Sequence, residues 1–556
     1  MTFEQRQRYD PRRIREPRQG ISLNAVDHFL GAAALRRNGA RTALICGAQT
    51  LSYSALAAET ARAANALHAF GVVPGERVLL LMRDTPEFAA AWLGVVHAGA
   101  VAVALNTKLS EAEYRHIRAD SGARLAIIED TFVDSRPDLA MEHADALAVA
   151  GDSSTGPNSW RRALAAAAAH GAPYDAHAED PAFWLYSSGT TGRPKGVVHA
   201  HRGLLSAGQG QRDVIGLAGG EKSFVTSKLF FAYALEHGLL GPLAIGATAI
   251  LEPDWPEAET ALAHVAHHRP AAFFSVPTFY RRLLALGSAR LEPFRAVRRF
   301  VAAGERVPAL LVEQWRAATG GEILSLYGMS ETFCACMITP PGTSNGARTG
   351  RLLAGVEAQL RRSDGGEAAA GEAAELWLRH PGLALGYANL AEQTAAQFRD
   401  GWFCTRDLFV READGSYAHQ GRSDERLKIA GQWVQPGELE EAIAGDPLIA
   451  EAACVQVTDA EGFERLALFV AARGDAPEAL AAAAKACEER LPRYKRPKWI
   501  RSVPELPRTA TGKIQRFKLR EIVEREIAAP ATPEPGGSGP AGLGPAGSGP
   551  TEPRSG

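Results

Sequence analysis

A chain of 556 residues is too long for a single hydrophobic core and predicts at least two domains. Hydrophobic residues make up 46% and charged residues 22%, as in ordinary globular proteins, and the net charge of −2 excludes a strongly basic nucleic-acid binder. Six scattered cysteines do not form a disulfide framework, and no run approaches the length of an apolar membrane span. These features favour a cytoplasmic protein without nucleic-acid or membrane partners.

The N-terminal part of the chain alternates between helical and strand patterns. Residues 1–20 are rich in arginine and lack the apolar stretch of a secretory signal, so we expect a poorly ordered leader. Helices are predicted at 55–69 and 86–98, and buried strands at 77–82 and 100–105. Such alternation is typical of a largely parallel sheet with helices on its faces.

The same alternation continues in the middle of the chain, with short apolar runs at 247–251, 271–276, 300–303 and 323–326. From about 345 to 420 the pattern changes to short strands with glycine turns, which predicts a small β subregion. A smaller α+β unit follows and ends in a predicted helix at 516–527. We therefore predict an α/β protein with a large N-terminal domain at 21–423 and a small mobile α+β domain at 425–527.

The most informative segment is YSSGTTGRPKG at 186–196, which follows an apolar strand pattern. Its glycines let backbone N–H groups approach an anion, its hydroxyls add donors, and Lys195 supplies positive charge. It is not the phosphate loop of kinases and GTPases, because Gly196 follows the lysine where that motif needs Ser or Thr. The alternative to a phosphate-binding loop is a flexible surface loop. The candidate nucleotide-binding residues here are Ser187, Ser188, Gly189, Thr190, Thr191 and Gly192.

This segment resembles the nucleotide-binding signature of the adenylate-forming superfamily, which includes acyl-CoA synthetases, luciferases and the adenylation domains of peptide synthetases. The resemblance covers nearly all of residues 20–527. It implies an enzyme that uses ATP and Mg²⁺ to adenylate a carboxylic acid. It also implies a large N-terminal domain and a small mobile C-terminal domain, hinged at the acidic residue that is here Asp424.

A second motif, LYGMSET, follows the predicted strand at 323–326. A strand end that presents an aromatic ring, a hydroxyl and a carboxylate suits a site in an α/β sheet. The resemblance implies that Tyr327 lies against the adenine, that Ser330 contacts the α-phosphate and that Glu331 binds Mg²⁺. A solvated carboxylate at a helix start is the alternative for Glu331.

Four further residues complete the predicted nucleotide site. The segment AAGER resembles the lining of the adenine pocket, which implies roles for Gly304 and Glu305. The segment GWFCTRD resembles the stretch whose aspartate, here Asp407, accepts hydrogen bonds from both ribose hydroxyls. Arg406 stands where most relatives carry glycine, which puts the local turn in doubt. Arg422 resembles an arginine that also contacts the ribose.

The C-terminal motif LPRTATGKIQR places Lys513 in a Thr-Gly loop before the last predicted helix. The resemblance implies that Lys513 bridges the attacking carboxylate and the α-phosphate, so that Lys513, Glu331 and Lys195 are the candidate catalytic residues. It further implies that the small domain rotates about Asp424 after adenylation. The loop around Gly431 then opens a channel for the thiol.

The resemblance narrows to the benzoate-CoA ligase group through the segments NAVD, LFFAY and SVPTFY. Flat apolar rings next to a small side chain suit an aromatic substrate, although a core aromatic cluster is the alternative. Benzoate ligases carry a histidine shortly after the motif glutamate, where this chain reads TFCAC, so a substituted benzoate, a heteroaromatic or an alicyclic acid remains open. The candidate acid-pocket residues are Phe231, Ala232, Tyr233, Ala303, Gly328, Phe333 and Cys334.

The predicted reaction joins the acid to CoA in two steps, with pyrophosphate leaving in the first and AMP in the second. Residues 528–556 form a Pro/Gly-rich tail that we expect to be disordered, and no carrier domain follows, so free CoA is the expected acceptor. A carrier-protein-loading enzyme, a luciferase-like oxygenase and a regulatory protein without catalysis are the alternatives. The expected partners are the acid, ATP and CoA. A homodimer is the oligomeric state considered for the chain.

Overall fold

The computed structural model describes residues 22–136, 147–151, 158–188, 193–346, 348–423, 427–429, 432–459, 461–508 and 514–528. The chain divides into two units. The first comprises Met1–Arg426 with Arg508–Lys513, and the second comprises Leu427–Pro507 with Ile514–Gly556. The predicted leader at 1–20 and the tail after residue 528 lie outside the described residues.

The first unit contains a nine-stranded sheet, called sheet A. Its strands, in order across the sheet, are Arg351–Leu352, Met337–Ile338, Ile323–Tyr327, Arg299–Ala302, Ala272–Ser275, Lys222–Val225, Thr248–Leu251, Thr42–Cys46 and Gln49–Ser52. The six central strands are parallel, and antiparallel strands flank them. Parallel strands covered on both faces are almost continuously apolar, which is why the four strands predicted between residues 247 and 326 are confirmed.

A seven-stranded sheet, called sheet B, lies in the same unit. Its strands, in order, are Gly386–Tyr387, Pro194–Ala200, Pro181–Ser188, Val101–Ala104, Arg77–Leu81, Leu125–Glu129 and Leu147–Ala150. The last five are parallel, whereas Pro181–Ser188 and Pro194–Ala200 form an antiparallel hairpin. The two ends of the segment singled out in the sequence, 186–188 and 194–196, therefore lie on paired strands at one side of this sheet.

Helices cover both sheets. Within the described residues, the α-helices of the first unit are Val26–Leu30, Ala32–Asn38, Tyr53–Ala69, Pro86–His97, Glu111–Ser121, Asp130–Ser135, Trp160–Ala166, His201–Leu204, Ala232–Leu235, Gly241–Ile245, Ala258–His268, Pro277–Ala285, Ala309–Thr319 and Ala391–Gln397. The described part of this unit also contains two π-helical turns, Gln211–Ile215 and Glu236–Leu240, and a 3₁₀ segment, Ser288–Ala296.

Local signals explain the two long helices predicted near the N-terminus. Tyr53–Ala69 begins after Ser52, whose hydroxyl accepts the Ala55 N–H, and Pro86–His97 has a threonine cap and proline in its first turn. The second helix contacts strands of both sheets. It approaches the first so closely that a Cβ on Gly94 would lie 2.4 Å from the Cβ of Ala63. The two sheets thus share a tightly packed helical layer.

The predicted β subregion is a five-stranded antiparallel sheet, called sheet C. It comprises Glu357–Arg361, Ala374–Arg379, Trp402–Arg411, Phe398–Arg399 and Tyr417–Arg422. The long strand Trp402–Arg411 carries a register shift after Asp407. Register shifts of this kind change the direction in which side chains point, and they are frequent next to functional sites.

The second unit is a small α+β structure. A three-stranded sheet of Ile449–Thr458, Glu464–Ala472 and Trp499–Val503 packs with helices Pro436–Ile443, Ala476–Arg490 and Arg516–Ala528, and a two-stranded ribbon comprises Leu427–Ile429 and Gln432–Val434. The predicted fold class is confirmed for both units. Among the described helices, none has the length and apolarity needed to cross a bilayer.

Candidate active site

The hairpin of sheet B carries the first group of predicted site residues. Ser187 and Ser188 end its first strand, and Ser187 pairs with Lys195 on the second. The strand therefore continues further than the apolar pattern alone predicted. The residues at the hairpin tip, Gly189, Thr190, Thr191 and Gly192, lie outside the described residues.

Lys195 meets Glu331 although 136 residues separate them in the chain. The Lys195 Nζ donates to Glu331 Oε1 at 3.1 Å and lies 3.9 Å from the ring centroid of Tyr387. The Tyr387 hydroxyl donates to the same carboxylate oxygen at 2.8 Å. Burial would raise the pKa of Glu331, but the charge of Lys195 and these two hydrogen bonds bring it below its ordinary value. The carboxyl is therefore an anion although it is almost fully buried.

Neighbouring groups hold Glu331 and Ser330 in place. The Nε2 of His199 lies 2.8 Å from the carbonyl oxygen of Ser330, and the Ala384 N–H donates to the carbonyl oxygen of Glu331 at 2.8 Å. The His199 ring stacks on Phe183 with centroids 4.7 Å apart. Burial lowers the pKa of His199 to about 4, so this ring is neutral and positions the segment without adding charge.

Sheet C supplies the second carboxylate of the site. Asp407 is 6% exposed, and its Oδ2 accepts the Tyr327 hydroxyl at 2.6 Å. Its Oδ1 lies 3.4 Å from Arg422 Nη1 and 3.5 Å from His419 Nε2. Burial would raise the pKa of Asp407, but the hydrogen bond and charge of His419 and the charge of Arg422 hold it below its ordinary value. The structure thus joins three predicted nucleotide-site residues from two sheets.

The residue before Asp407, inside strand Trp402–Arg411, has the left-handed backbone conformation that glycine would favour. Arg406 has φ +64°, and its carbonyl oxygen accepts the Ser423 N–H at 2.7 Å. The arginine therefore leaves the turn intact, at a conformational cost of about 1–2 kcal/mol relative to glycine in the folded state.

The candidate acid-pocket residues come from three elements that meet in the first unit. The Tyr233 hydroxyl donates to the carbonyl oxygens of Ser275 and Val301, each at 3.2 Å, and the Ala303 N–H reaches the same Ser275 carbonyl at 3.3 Å. Ala232 begins the short helix that carries Tyr233. These bonds fix the tyrosine at the carboxyl end of the parallel strands, where ligands of α/β sheets bind.

The remaining predicted pocket residues lie in the segment after strand Ile323–Tyr327, where Phe333 and Cys334 are buried. A Cβ on Gly328 would lie 3.4 Å from the carbonyl oxygen of Cys334, so the segment folds back on itself. Phe333 packs edge-on against Phe183 at 4.9 Å. Phe231 lies in a separate aromatic group with Phe230 at 4.3 Å and with a neighbouring tryptophan.

Comparison with known proteins agrees with this geometry. The family model of AMP-binding enzymes matches residues 31–388, and that of the AMP-binding enzyme C-terminal domain matches residues 438–513. This chain belongs to the AMP-binding enzyme family. The predicted resemblance and the predicted enzyme class, a ligase similar to benzoate-CoA ligases, are confirmed.

Three similar proteins illustrate the family. This AMP-binding enzyme is 39% identical over 522 residues to a 3-hydroxybenzoate–CoA/4-hydroxybenzoate–CoA ligase of Thauera aromatica, with 92% of this chain and 98% of the relative covered. The anthranilate CoA ligase AuaEII in complex with anthranoyl-AMP has a TM-score of 0.85 and 32% identity, covering 91% and 98% of the two chains. A benzoate CoA ligase from Burkholderia xenovorans LB400 has a TM-score of 0.80 and 33% identity, covering 90% and 100%.

The roles predicted for several residues stay predictions. Gly304 has φ +86° and is exposed together with Glu305. Lys513, Asp424 and Gly431, the predicted bridging lysine, hinge and channel residues, lie outside the described residues.

The sequence analysis missed four groups that contact the predicted residues. Tyr387, His199 and His419 had no recognisable local signal. Glu236 did have a recognisable signal, because it is a charged residue inside an apolar run and charged residues are rarely buried without a reason.

Residues that could hold Mg²⁺ are few. Among the described residues, no group of three or more His, Cys, Asp or Glu side chains has metal-binding geometry. Mg²⁺ usually binds through one or two carboxylates together with substrate phosphates. The buried anionic carboxylate of Glu331 beside Lys195 fits that type of site.

Proposed function

We propose that this AMP-binding enzyme is an AMP-forming aromatic acid–CoA ligase, with a small ring-substituted benzoate as its acid. The observation that carries the proposal is the continuous segment 328–336. Near its centre Glu331 bonds to Lys195, and the segment continues through the buried residues Phe333 and Cys334, which are the proposed wall of the acid pocket. One segment therefore links the phosphate-binding chemistry to the acid-binding surface.

In the first half-reaction, a carboxylate oxygen of the acid attacks the α-phosphorus of ATP. The new O–P bond forms as the bond to pyrophosphate breaks, which gives acyl-AMP. Lys195 would bind the phosphates as a point charge, and Asp407 with Tyr327 would fix the ribose and adenine. Mg²⁺, held by Glu331 and the phosphates, would neutralise developing charge.

In the second half-reaction, the CoA sulfur attacks the acyl carbon and AMP leaves, with the thiol proton passing to solvent. Lys513 is the proposed bridging residue of the first step. Asp424 and Gly431 are the proposed hinge and channel of the second, with the domain boundaries predicted from the sequence. Staged closure of a two-domain enzyme is an established way to separate two chemical steps.

The choice of acid rests on the pocket and on the relatives. Aromatic and small side chains line the proposed pocket, which suits a flat ring. The named relatives act on hydroxybenzoates and benzoate, and AuaEII was observed with anthranoyl-AMP. A hydroxybenzoate is therefore the first acid to test.

Mass spectrometry of products tests the proposal. Purified protein is incubated with Mg-ATP, CoA and single acids: benzoate, 3-hydroxybenzoate, 4-hydroxybenzoate, anthranilate, cyclohexanecarboxylate and a fatty acid. An aryl-CoA with an equal amount of AMP supports the proposal. Formation of ADP, or of only fatty acyl-CoA, contradicts it, and aryl-AMP without aryl-CoA contradicts the choice of free CoA as acceptor.

A further inference from the structure

A buried carboxyl group lies behind the proposed acid pocket. Glu236 begins the π-helical turn Glu236–Leu240 and is 2% exposed. Its Oε2 accepts the backbone N–H of Ala335 at 3.0 Å, and the Cys334 thiol and the Gly208 backbone N–H also act to lower the pKa of its carboxyl group. A buried carboxyl group needs such donors, so its position is closely determined by them.

The segment that Glu236 contacts is strained. Thr332–Cys336, here called the pocket loop, contains Phe333 with φ +59°, a value that aromatic residues rarely adopt. The Cys334 N–H donates to the Thr332 carbonyl oxygen at 2.7 Å across this residue. Strained turns of this kind persist only where surrounding bonds hold them.

The pocket loop is held at Ala335 by two buried side chains. Its N–H donates to Glu236, and its carbonyl oxygen lies 3.3 Å from the Nε2 of His380. Glu236 also follows the helix that carries Ala232 and Tyr233. The carboxyl group therefore connects the two walls of the proposed pocket, and π-helical turns are frequent at functional sites.

No positive charge compensates Glu236 within the described part of its surroundings. The titratable groups that face it are Cys334, Cys336, Tyr233 and His237. The His237 Nε2 lies 3.3 Å from Glu236 Oε2, but burial lowers the pKa of that histidine to about 3, so the ring is neutral.

Burial raises the pKa of Glu236 to about 8, although three hydrogen bonds oppose it. The charge of this carboxyl group therefore changes in the physiological range, and with it the strength of the bond to the pocket loop.

We infer that Glu236 is a positioning residue for the aromatic acid: its carboxyl group holds the pocket loop so that Phe333 and Cys334 face the ring. The inference rests on the proposed function and adds to it. A ring substituent would contact the wall that Glu236 fixes, so Glu236 sets which substituted benzoates are accepted.

The test is Glu236→Gln, which keeps the size of the side chain and removes the titrating carboxyl group. We expect the KM for the preferred hydroxybenzoate to rise about tenfold or more, with the KM for ATP changed less than about twofold. The order of preference among benzoate, 3-hydroxybenzoate and 4-hydroxybenzoate should change. The matched control is Glu129→Gln, which alters a buried carboxylate bound to Arg83 in sheet B and should leave both KM values within about twofold.

A pH profile separates positioning from general damage. The kcat/KM for the acid should show a titration near pH 8 in the wild type that is absent in Glu236→Gln. Equal changes in the KM for acid and ATP, or an unchanged KM for acid, overturn the inference. A wild type that forms no aryl-CoA contradicts the proposed function instead, and it is measured first.

A second pair of variants applies if Glu236→Gln does not fold. Cys334→Ala removes the thiol that acts to lower the pKa of Glu236, whereas Cys334→Ser keeps a donor group at the same position. We expect the KM for acid to rise about fivefold more in the alanine variant than in the serine variant, with the KM for ATP changed little in both. Equal effects of the two variants overturn the inference.

Discussion

Glu331 and Glu236 are both buried in the first unit, but the pKa values of their carboxyl groups shift in opposite directions. Glu331 lies 3.1 Å from the Lys195 ammonium, and its pKa is lowered. Glu236 has only neutral donors around it, and its pKa is raised to about 8.

The comparison shows that burial alone does not set the charge of a carboxyl group. The partner decides whether the group is an anion, because a nearby cation replaces the solvation that burial removes. An anionic Glu331 suits a role beside Mg²⁺ and phosphates, and a titrating Glu236 suits a structural role beside an uncharged ring.

The largest effect is expected from removing the Lys195 ammonium group beside Glu331. Lys195→Ala leaves Glu331 with the Tyr387 hydroxyl alone, so adenylation should fall by about 10²–10³-fold. Pyrophosphate exchange measures this step directly. Lys222→Ala is the control, because Lys222 is also a half-buried strand lysine but donates to the carbonyl oxygen of His268. Comparable losses in both variants would contradict the role of Lys195.

The second prediction concerns pH and stability. Glu236 in the folded protein keeps its proton to about pH 8, whereas an ordinary glutamate loses it near 4.5. Wild-type stability should therefore fall as pH rises between these values, by on the order of a few kcal/mol in total. Glu236→Gln lacks this titration, so its Tm relative to the wild type should increase from about pH 5 to about pH 8.

Thermal unfolding followed by circular dichroism at several pH values measures this difference. Glu331→Gln provides the contrast, because a carboxyl group with a lowered pKa stays ionised above 4.5 and should give a constant Tm offset over the same range. A Tm difference between Glu236→Gln and the wild type that does not change with pH would contradict the raised pKa of Glu236 and its contrast with Glu331.

A third buried carboxylate extends the comparison. Asp407 is an anion near Arg422 and His419, as Glu331 is near Lys195. Asp407→Ala should raise the KM for ATP about 10–100-fold with little change in the KM for acid, because it removes charge-assisted hydrogen bonds to the proposed ribose. Steady-state kinetics with each substrate varied in turn checks this, and an unchanged KM for ATP would refute the ribose assignment.

The smallest effect should come from Tyr387→Phe. The variant keeps the ring under Lys195 but loses the hydroxyl that donates to Glu331 at 2.8 Å. The pKa of Glu331 should rise slightly, and kcat should fall by about tenfold or less. A loss as large as that of Lys195→Ala would mean that the hydroxyl, and not the cation, maintains the charge of Glu331.

Regular elements were largely predictable because their signals are local. The helix Tyr53–Ala69 follows a serine cap, and the strand Arg77–Leu81 is a continuous apolar run. The contact between Lys195 and Glu331 spans 136 residues, and it was anticipated only through the resemblance to a known family.

The surroundings of Glu236 could not be predicted in this way. Its bond to Ala335 spans 99 residues, and the π-helical turn that carries it has no distinct periodicity in the sequence. Burial of a charged group depends on what the fold brings around it. The sequence marks the residue as unusual, but the partners come only from the tertiary structure.

The most direct test of the central claim follows the oxygen of the acid. With ¹⁸O-labelled 3-hydroxybenzoate, Mg-ATP and CoA, attack of the carboxylate on the α-phosphorus should transfer one labelled oxygen into AMP, and the aryl group should appear as its CoA thioester. Unlabelled AMP, or label in inorganic phosphate together with ADP, would contradict an adenylate-forming aryl-CoA ligase.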